Sequence, residues 1–289
     1  MSAQRSAGRR WVAGPAALAA QAALRLVNRL PVAPALERTN FRGRTVTLAG
    51  GPALASAASA AAAIGAPSGP AAAAALVAGI GSGAVGLYDD VVGARPEQKA
   101  AKGFAGHVGA LRQGRVTSGL VKVAGVGAAG LAAAALLAAD PTVRSRRRRR
   151  GRFGQVTDVL LGAGVIAGTA NLVNLLDLRP GRALKAGVVL GTPLLPGPAG
   201  GLAAGPVGAA TGLLPADLNE EIMLGDCGAN ALGALLGVAL AARTGPVGRA
   251  GILTALVALT AASEKVSFTQ VIQNTRGLRE LDALGRRPS

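Results

Sequence analysis

Three acidic groups stand where apolar runs of this sequence end: Asp89 and Asp90 in GLYDD, Asp177 closing NLVNLLD, and Asp226 in IMLGD. A carboxylate at the end of an apolar helix is costly beside lipid unless it is solvated, paired or metal-bound, so acids in such places read as functional candidates. Mg²⁺ takes a few carboxylates and completes its shell with water and substrate phosphate oxygens, a need that separated segments can meet together. Lysines that follow Asp90, Lys99 and Lys102, would neutralise phosphate charge. Taken alone, Asp89 and Asp90 read equally well as two solvated loop residues. Recurrence at three helix ends, all on one side of a bilayer when crossings are counted, favours magnesium-assisted chemistry on a phosphate compound at the inner leaflet.

The neighbours of these acids refine the reading. Three-residue spacing puts Asn171, Asn174 and, approximately, Asp177 on one helix face. Asn can position phosphate or sugar hydroxyls, or hydrogen-bond between helices, and the second role suits the deepest, Asn171. Gly225 and Gly228 flank Asp226 and allow close approach of a ligand. Asp217, Glu220 and Glu221 read as solvated loop charges. The lone Cys227 excludes an internal disulfide and reads as a small packing residue. With a single histidine, His107, zinc sites built on His are excluded as well. His107 is open to a substrate contact or to no catalytic role.

Composition supplies the elements that must hold these groups. Half the residues are apolar, mean hydropathy is +0.41, and 43 glycines suit close helix packing in lipid. Spanning-length apolar runs predict an all-α polytopic membrane protein with about nine helices, at 11–27, 45–66, 70–88, 118–138, 154–175, 183–198, 200–216, 228–243 and 247–263. Residues 1–10 form a basic amino-terminal segment, 11–263 the membrane domain and 264–289 a polar tail. Arg5, Arg9 and Arg10 before an apolar run resemble a signal peptide, but eight further apolar segments favour a retained first helix. In the tail, Val271, Leu278, Leu281 and Leu284 among charges predict an amphipathic helix on the inner membrane face, with Gly277 its weak point.

Placing the amino terminus outside gives 19 basic residues on inner segments and 12 on outer ones, which orients the acids toward the cytoplasm. The outer count includes the arginine run at 145–152, read as a headgroup-binding or solvated loop. Without aromatic residues among those charges, no nucleic-acid partner is expected. The glycine- and alanine-rich helices could pack within one chain or between two copies.

GLYDD followed by KGF, then NLVNLLD, then MLGDCGANALG resembles the polyprenyl-phosphate N-acetylhexosamine-1-phosphate transferase superfamily, which includes phospho-N-acetylmuramoyl-pentapeptide transferase. The stretch RGRTVTLAGG at 42–51 is similar to the segment opening that family's second helix, and the matches run in the family's order through residue 243. The resemblance, as to a divergent and shortened member, implies a cell-membrane enzyme. It would transfer a sugar-1-phosphate from a UDP-amino sugar to an undecaprenyl-type phosphate, releasing UMP, with Mg²⁺ as cofactor, in cell-wall or surface-glycan assembly. By motif match, Asp89, Asp90 and Asp226 would be catalytic, with Asp90 and Asp226 at the metal, and Lys102, Asn174 and Asp177 would bind substrate. The sequence departs from the family where Asp177 is followed by Leu178-Arg179-Pro180-Gly181 instead of the second aspartate, and it has no counterpart of the late histidine motif. Those departures leave the donor sugar open. They also keep alive a non-catalytic relative that binds polyprenyl phosphate or a membrane partner. A transporter would place its acids at mid-membrane, commonly with paired repeats, neither of which the sequence shows.

Overall fold

The computed structural model describes residues 11–95, 116–140 and 151–287, with residues 109, 110, 112 and 114. In chain order the elements are α1 (Ala13–Val27), β1 (Glu37–Thr39), β2 (Thr45–Thr47), α2 (Gly50–Gly65), α3 (Gly69–Val92) and α4 (Ser118–Ala139). There follow α5 (Arg152–Leu176), α6 (Arg182–Gly191), α7 (Gly200–Leu218), α8 (Gly225–Arg243), α9 (Pro246–Ser263), α10 (Phe268–Asn274) and α11 (Arg276–Ala283). The protein is thus a helical membrane protein: α3, α4, α5, α8 and α9 are long and apolar enough to cross a bilayer. Each of the nine expected apolar runs contains a helix, but α1, α2, α6 and α7 fall short of a span by length or apolarity. The helix expected at 183–198 stops at Gly191, where Thr192–Leu194 tightens into a 3₁₀ turn around Pro193.

Two helix starts follow from side-chain caps. Ser68 accepts a hydrogen bond from the Ala71 amide (3.2 Å) to open α3, and Thr117 accepts one from Leu120 (3.2 Å) to open α4. Helix α8 sits at the centre, packed on α2, α3, α5 and α7. Its buried positions are mostly glycine and alanine, which is how backbones come close without a hydrophobic driving force in lipid. A Cβ at Gly237 would lie 2.6 Å from the Ile166 Cα on α5, so no larger residue fits. Helix α9 is peripheral, with only Arg249 and Leu256 buried. Arg249 ties it in: its Nη1 meets Asp158 Oδ1 on α5 at 2.7 Å, and its Nε donates to the Ala241 carbonyl of α8 at 3.1 Å.

The helix expected from residue 45 begins at Gly50, because the β-branched Thr45-Val46-Thr47 pairs as β2 with β1. Gly43, at φ 75°, makes the turn, and the Asn40 side chain accepts from the Arg42 and Arg44 amides. Thr47 then bridges to Ile222, with the Met223 amide donating to its carbonyl at 2.9 Å, so the hairpin is stitched to the chain just before α8. Two of the charges read as solvated are buried. Glu220, at φ 56°, meets Arg42 (2.9 Å) and Asn40 (2.8 Å), and Asp217 accepts from the Gly181 amide at 2.8 Å. For Glu220 the hairpin supplies the partners that linear reading could not see. Glu221 is exposed, as expected.

The tail is two short helices broken at Thr275 (φ −103°, ψ 114°), whereas Gly277 lies inside α11. The β-branched threonine, following Asn274, yields the turn more readily than the glycine does. Asp282 fastens α11: it accepts from Arg182 at 2.8 and 3.0 Å and from Arg286 at 2.7 Å. Burial works against its charge, but the two guanidiniums prevail and hold its carboxyl below the usual range. A depressed folded value stabilises docking above the ordinary aspartate pKa and loses it as pH falls through the folded one. Spin labels on α11 are therefore expected to report equal docking at pH 7 and pH 5, with release starting below about pH 4.

Candidate functional site

Helix α3 carries Asp89 and Asp90 on its last turn, α5 carries Asn174 and ends at Asp177, and α8 has Asp226 in its first turn. These three ends meet. Asp90, Asn174, Asp177 and Asp226 line one cavity of about 500 Å³, walled further by Arg38 and Thr39 of the hairpin, Leu48, Met223 and Gly225.

Asp90 has a definite structural task. Helix α8 lacks a side-chain cap of its own, and the Asp90 carboxylate takes that place from α3, accepting from the Asp226 and Cys227 amides at 2.9 Å each. A carboxylate on these orphan donors also meets the positive end of the helix dipole. Gly225, at φ 59°, makes the sharp entry to the helix beside it. Arg38 closes the other side, its Nη2 donating to the Asp90 carbonyl at 2.9 Å.

Asp89 and Asp226 share one lysine. Lys122 Nζ, from the first turns of α4, lies 2.8 Å from Asp89 Oδ2 and 2.6 Å from Asp226 Oδ2. The ammonium draws three helices together and offsets two of the acids. Asp177 is placed otherwise: among the described residues no cation pairs with it. Burial, with the charges of Asp217, Asp226 and Asp90, pushes its carboxyl well above the usual range against a hydrogen bond from the Gly225 backbone. The same crowding of negative charge would be relieved by a proton or by a cation at Asp177.

Mg²⁺ at this site would need a substrate to complete its shell. Among the described residues, no three acidic, His or Cys side chains cluster into a site that would hold an ion unaided. One or two carboxylates suffice where phosphate oxygens and water complete the octahedron, and Asp177 and Asp226 face one space. Asp90 keeps a lone pair on each oxygen beyond its bonds to the amides.

Of the residues singled out from sequence, Asp90, Asn174, Asp177, Gly225 and Asp226 line the cavity, and Asp89 joins it through Lys122. Asn171 donates to Thr260 Oγ1 on α9 at 3.0 Å, the interhelical role. Cys227 is buried, as its reading as a packing residue requires. Lys102, His107 and the arginines at 146–150 lie outside the described residues. Sequence reasoning missed Lys122 and Arg38. The signal for the first was a single lysine inside an otherwise apolar run, SGLVKVAGVG, where a charge needs a partner.

Gly86, one turn before the aspartates, has the same standing in the site as the charges. A Cβ there would press into the Asp226 backbone and come within 2.7 Å of the Cys227 amide nitrogen. Gly86→Ala is expected to cost about 1–3 kcal/mol by prising α3 from α8, read as a lower melting temperature in detergent.

Compared with family models, with curated proteins and with solved structures, the chain gives no significant match to any of them. The functional reading therefore rests on the site together with the motifs that carry the resemblance.

Proposed function

We propose that this membrane protein transfers a sugar-1-phosphate from a UDP-amino sugar to a polyprenyl phosphate, releasing UMP, in cell-wall or surface-glycan assembly, with its site facing the cytoplasm. The observation that supports this most is the meeting of Asp90, Asn174, Asp177 and Asp226, from three helix ends far apart in sequence, around one cavity. A phosphate oxygen of the lipid attacks the β-phosphorus of the nucleotide sugar. The new P–O bond forms as the bond to the bridging oxygen breaks, and UMP leaves with that electron pair. The phosphate nucleophile is already ionised near neutral pH, so no residue is required as a base.

Arg38, on the cavity wall, donates to backbone carbonyls and leaves its positive charge for the diphosphate. Lys122 holds Asp226 in place through its ion pair, and Asn174 offers an amide to sugar or phosphate oxygens. Asp177 and Asp226, with Asp90, would hold Mg²⁺, which when bound neutralises and orients the diphosphate. The resemblance adds Lys102 as a further phosphate contact.

A second reading, a non-catalytic relative that binds polyprenyl phosphate or a membrane partner, draws on a specific observation. The cap that Asp90 provides and the Lys122 pairs give Asp89, Asp90 and Asp226 structural employment without any substrate. UMP release by the purified protein, with polyprenyl phosphate, Mg²⁺ and a panel of UDP-amino sugars, separates the two. Release that needs both lipid and metal supports the transferase. Folded protein that binds the lipid and reacts with no donor sinks it.

A further inference from the structure

A second cavity, of about 420 Å³, lies across α5 from the carboxylates. Leu172 and Leu176 face it, whereas Asn174, Leu175, Asp177 and Leu178 of the same turns face the acidic cavity. Helix α6, Leu259 of α9 and the two tail helices complete its walls. The volume is that of a ligand site.

This groove is apolar and open. Val189, Leu259, Val271 and Leu278 along it remain between 41% and 55% exposed. Apolar surface grouped in a concavity, with no segment of the described chain filling it, calls for an apolar occupant. Two of its walls, α5 and α9, are helices of spanning length, and the groove sits at their ends, where lipid chains give way to headgroups. The mouth carries the complementary charge. Lys185 Nζ donates only to the Leu281 and Asp282 carbonyls, at 3.0 and 2.9 Å, and no carboxylate among the described residues pairs with it. Arg182 stands one turn away, and Asp282, the acid at the rim, is already shared by Arg182 and Arg286. The excess is positive, which selects an anionic headgroup over a zwitterionic one.

We propose that this groove seats one acyl chain of an anionic membrane phospholipid, with the lipid phosphate against Lys185. The lipid then becomes a wall of the structure, joining the tail helices to the transmembrane bundle beside the ion pairs of Asp282. This goes beyond the transferase reading and does not depend on it.

Protein released from nanodiscs of mixed phosphatidylglycerol and phosphatidylcholine, weighed by native mass spectrometry, tests the proposal. One retained phosphatidylglycerol is expected, enriched about five-fold over phosphatidylcholine, the ratio one lysine contact confers. Lys185→Gln is expected to keep a bound lipid and lose the preference, and Ala186→Trp, which fills the groove, to lose the lipid. Because tryptophan could disturb packing, the partly exposed Lys185→Gln variant decides without it. Wild-type protein that retains no lipid, or retains both equally, overturns the proposal, as does an undiminished preference in Lys185→Gln. Displacement of phosphatidylglycerol by added polyprenyl phosphate also overturns it, while leaving the transferase reading standing.

Discussion

Asp226→Asn and Asp177→Asn are each expected to lower UMP release by about 10²–10³-fold, the scale for losing one group that stabilises charge in the transition state. The two variants are informative because the fold does not hang on them. In Asp226→Asn, Lys122 keeps its 2.8 Å pair with Asp89, so α3 and α4 stay joined. Asp177 makes no ion pair among the described residues that its loss could break. Asp90→Asn differs, since an amide presents one acceptor to the two amides that the carboxylate now serves. It is expected to weaken the cap of α8 by about 1 kcal/mol as well as to reduce activity. Rates and melting temperatures measured together therefore separate capping from chemistry. Activity within about three-fold of wild type in both Asp226→Asn and Asp177→Asn would remove the cavity from the reaction.

The largest expected effect on stability lies with the arginine that ties in the peripheral helix. Arg249→Met removes the guanidinium that meets the Asp158 carboxylate, 1% exposed, between α5 and α9. Breaking such a buried pair from one side costs about 3–5 kcal/mol. The same change removes bonds to the Ala241 and Asp158 carbonyls, and Arg249 is one of only two buried residues on α9. Replacing both partners, Asp158→Asn with Arg249→Met, is expected to restore most of the loss, because no charge is then left buried. Thermal unfolding in detergent reads the series. A single variant as stable as wild type would falsify the assignment of this pair as the anchor of α9.

Apolar length made the helices legible. The run expected at 118–138 is α4, Ser118–Ala139, and that expected at 247–263 is α9, Pro246–Ser263. In lipid the backbone must satisfy itself, so an apolar run of spanning length has few alternatives to a helix. The acidic residues were legible for a related reason, since charge at the end of such a run must be solvated, paired or metal-bound. What escaped the sequence were partners distant along the chain. Glu220 reads as a loop charge until the hairpin brings Arg42 against it, 178 positions away in the numbering. Lys122 reads as one more inner-side basic residue until α4 packs beside α3 and brings its ammonium to Asp89 and Asp226. The β-branched triplet at Thr45–Thr47 was hidden by the apolar run that follows it, which a length criterion absorbed whole.

The central position of α8 also dictates a timetable for synthesis. The helix against which α2, α3, α5 and α7 pack is made after all of them, and the strand at Thr45–Thr47 waits for Ile222 before its outer bridge can close. Until residues 225–243 leave the ribosome, α2, α3, α5 and α7 lack the helix they share, although α2 can already pack on α3 and α7. The acidic cavity cannot exist in that interval, because Asp90 has no amides to cap and Lys122 has only one of its two aspartates. A nascent chain halted before α8 therefore lacks the acidic cavity, and the fold closes only once residues 225–243 have been made.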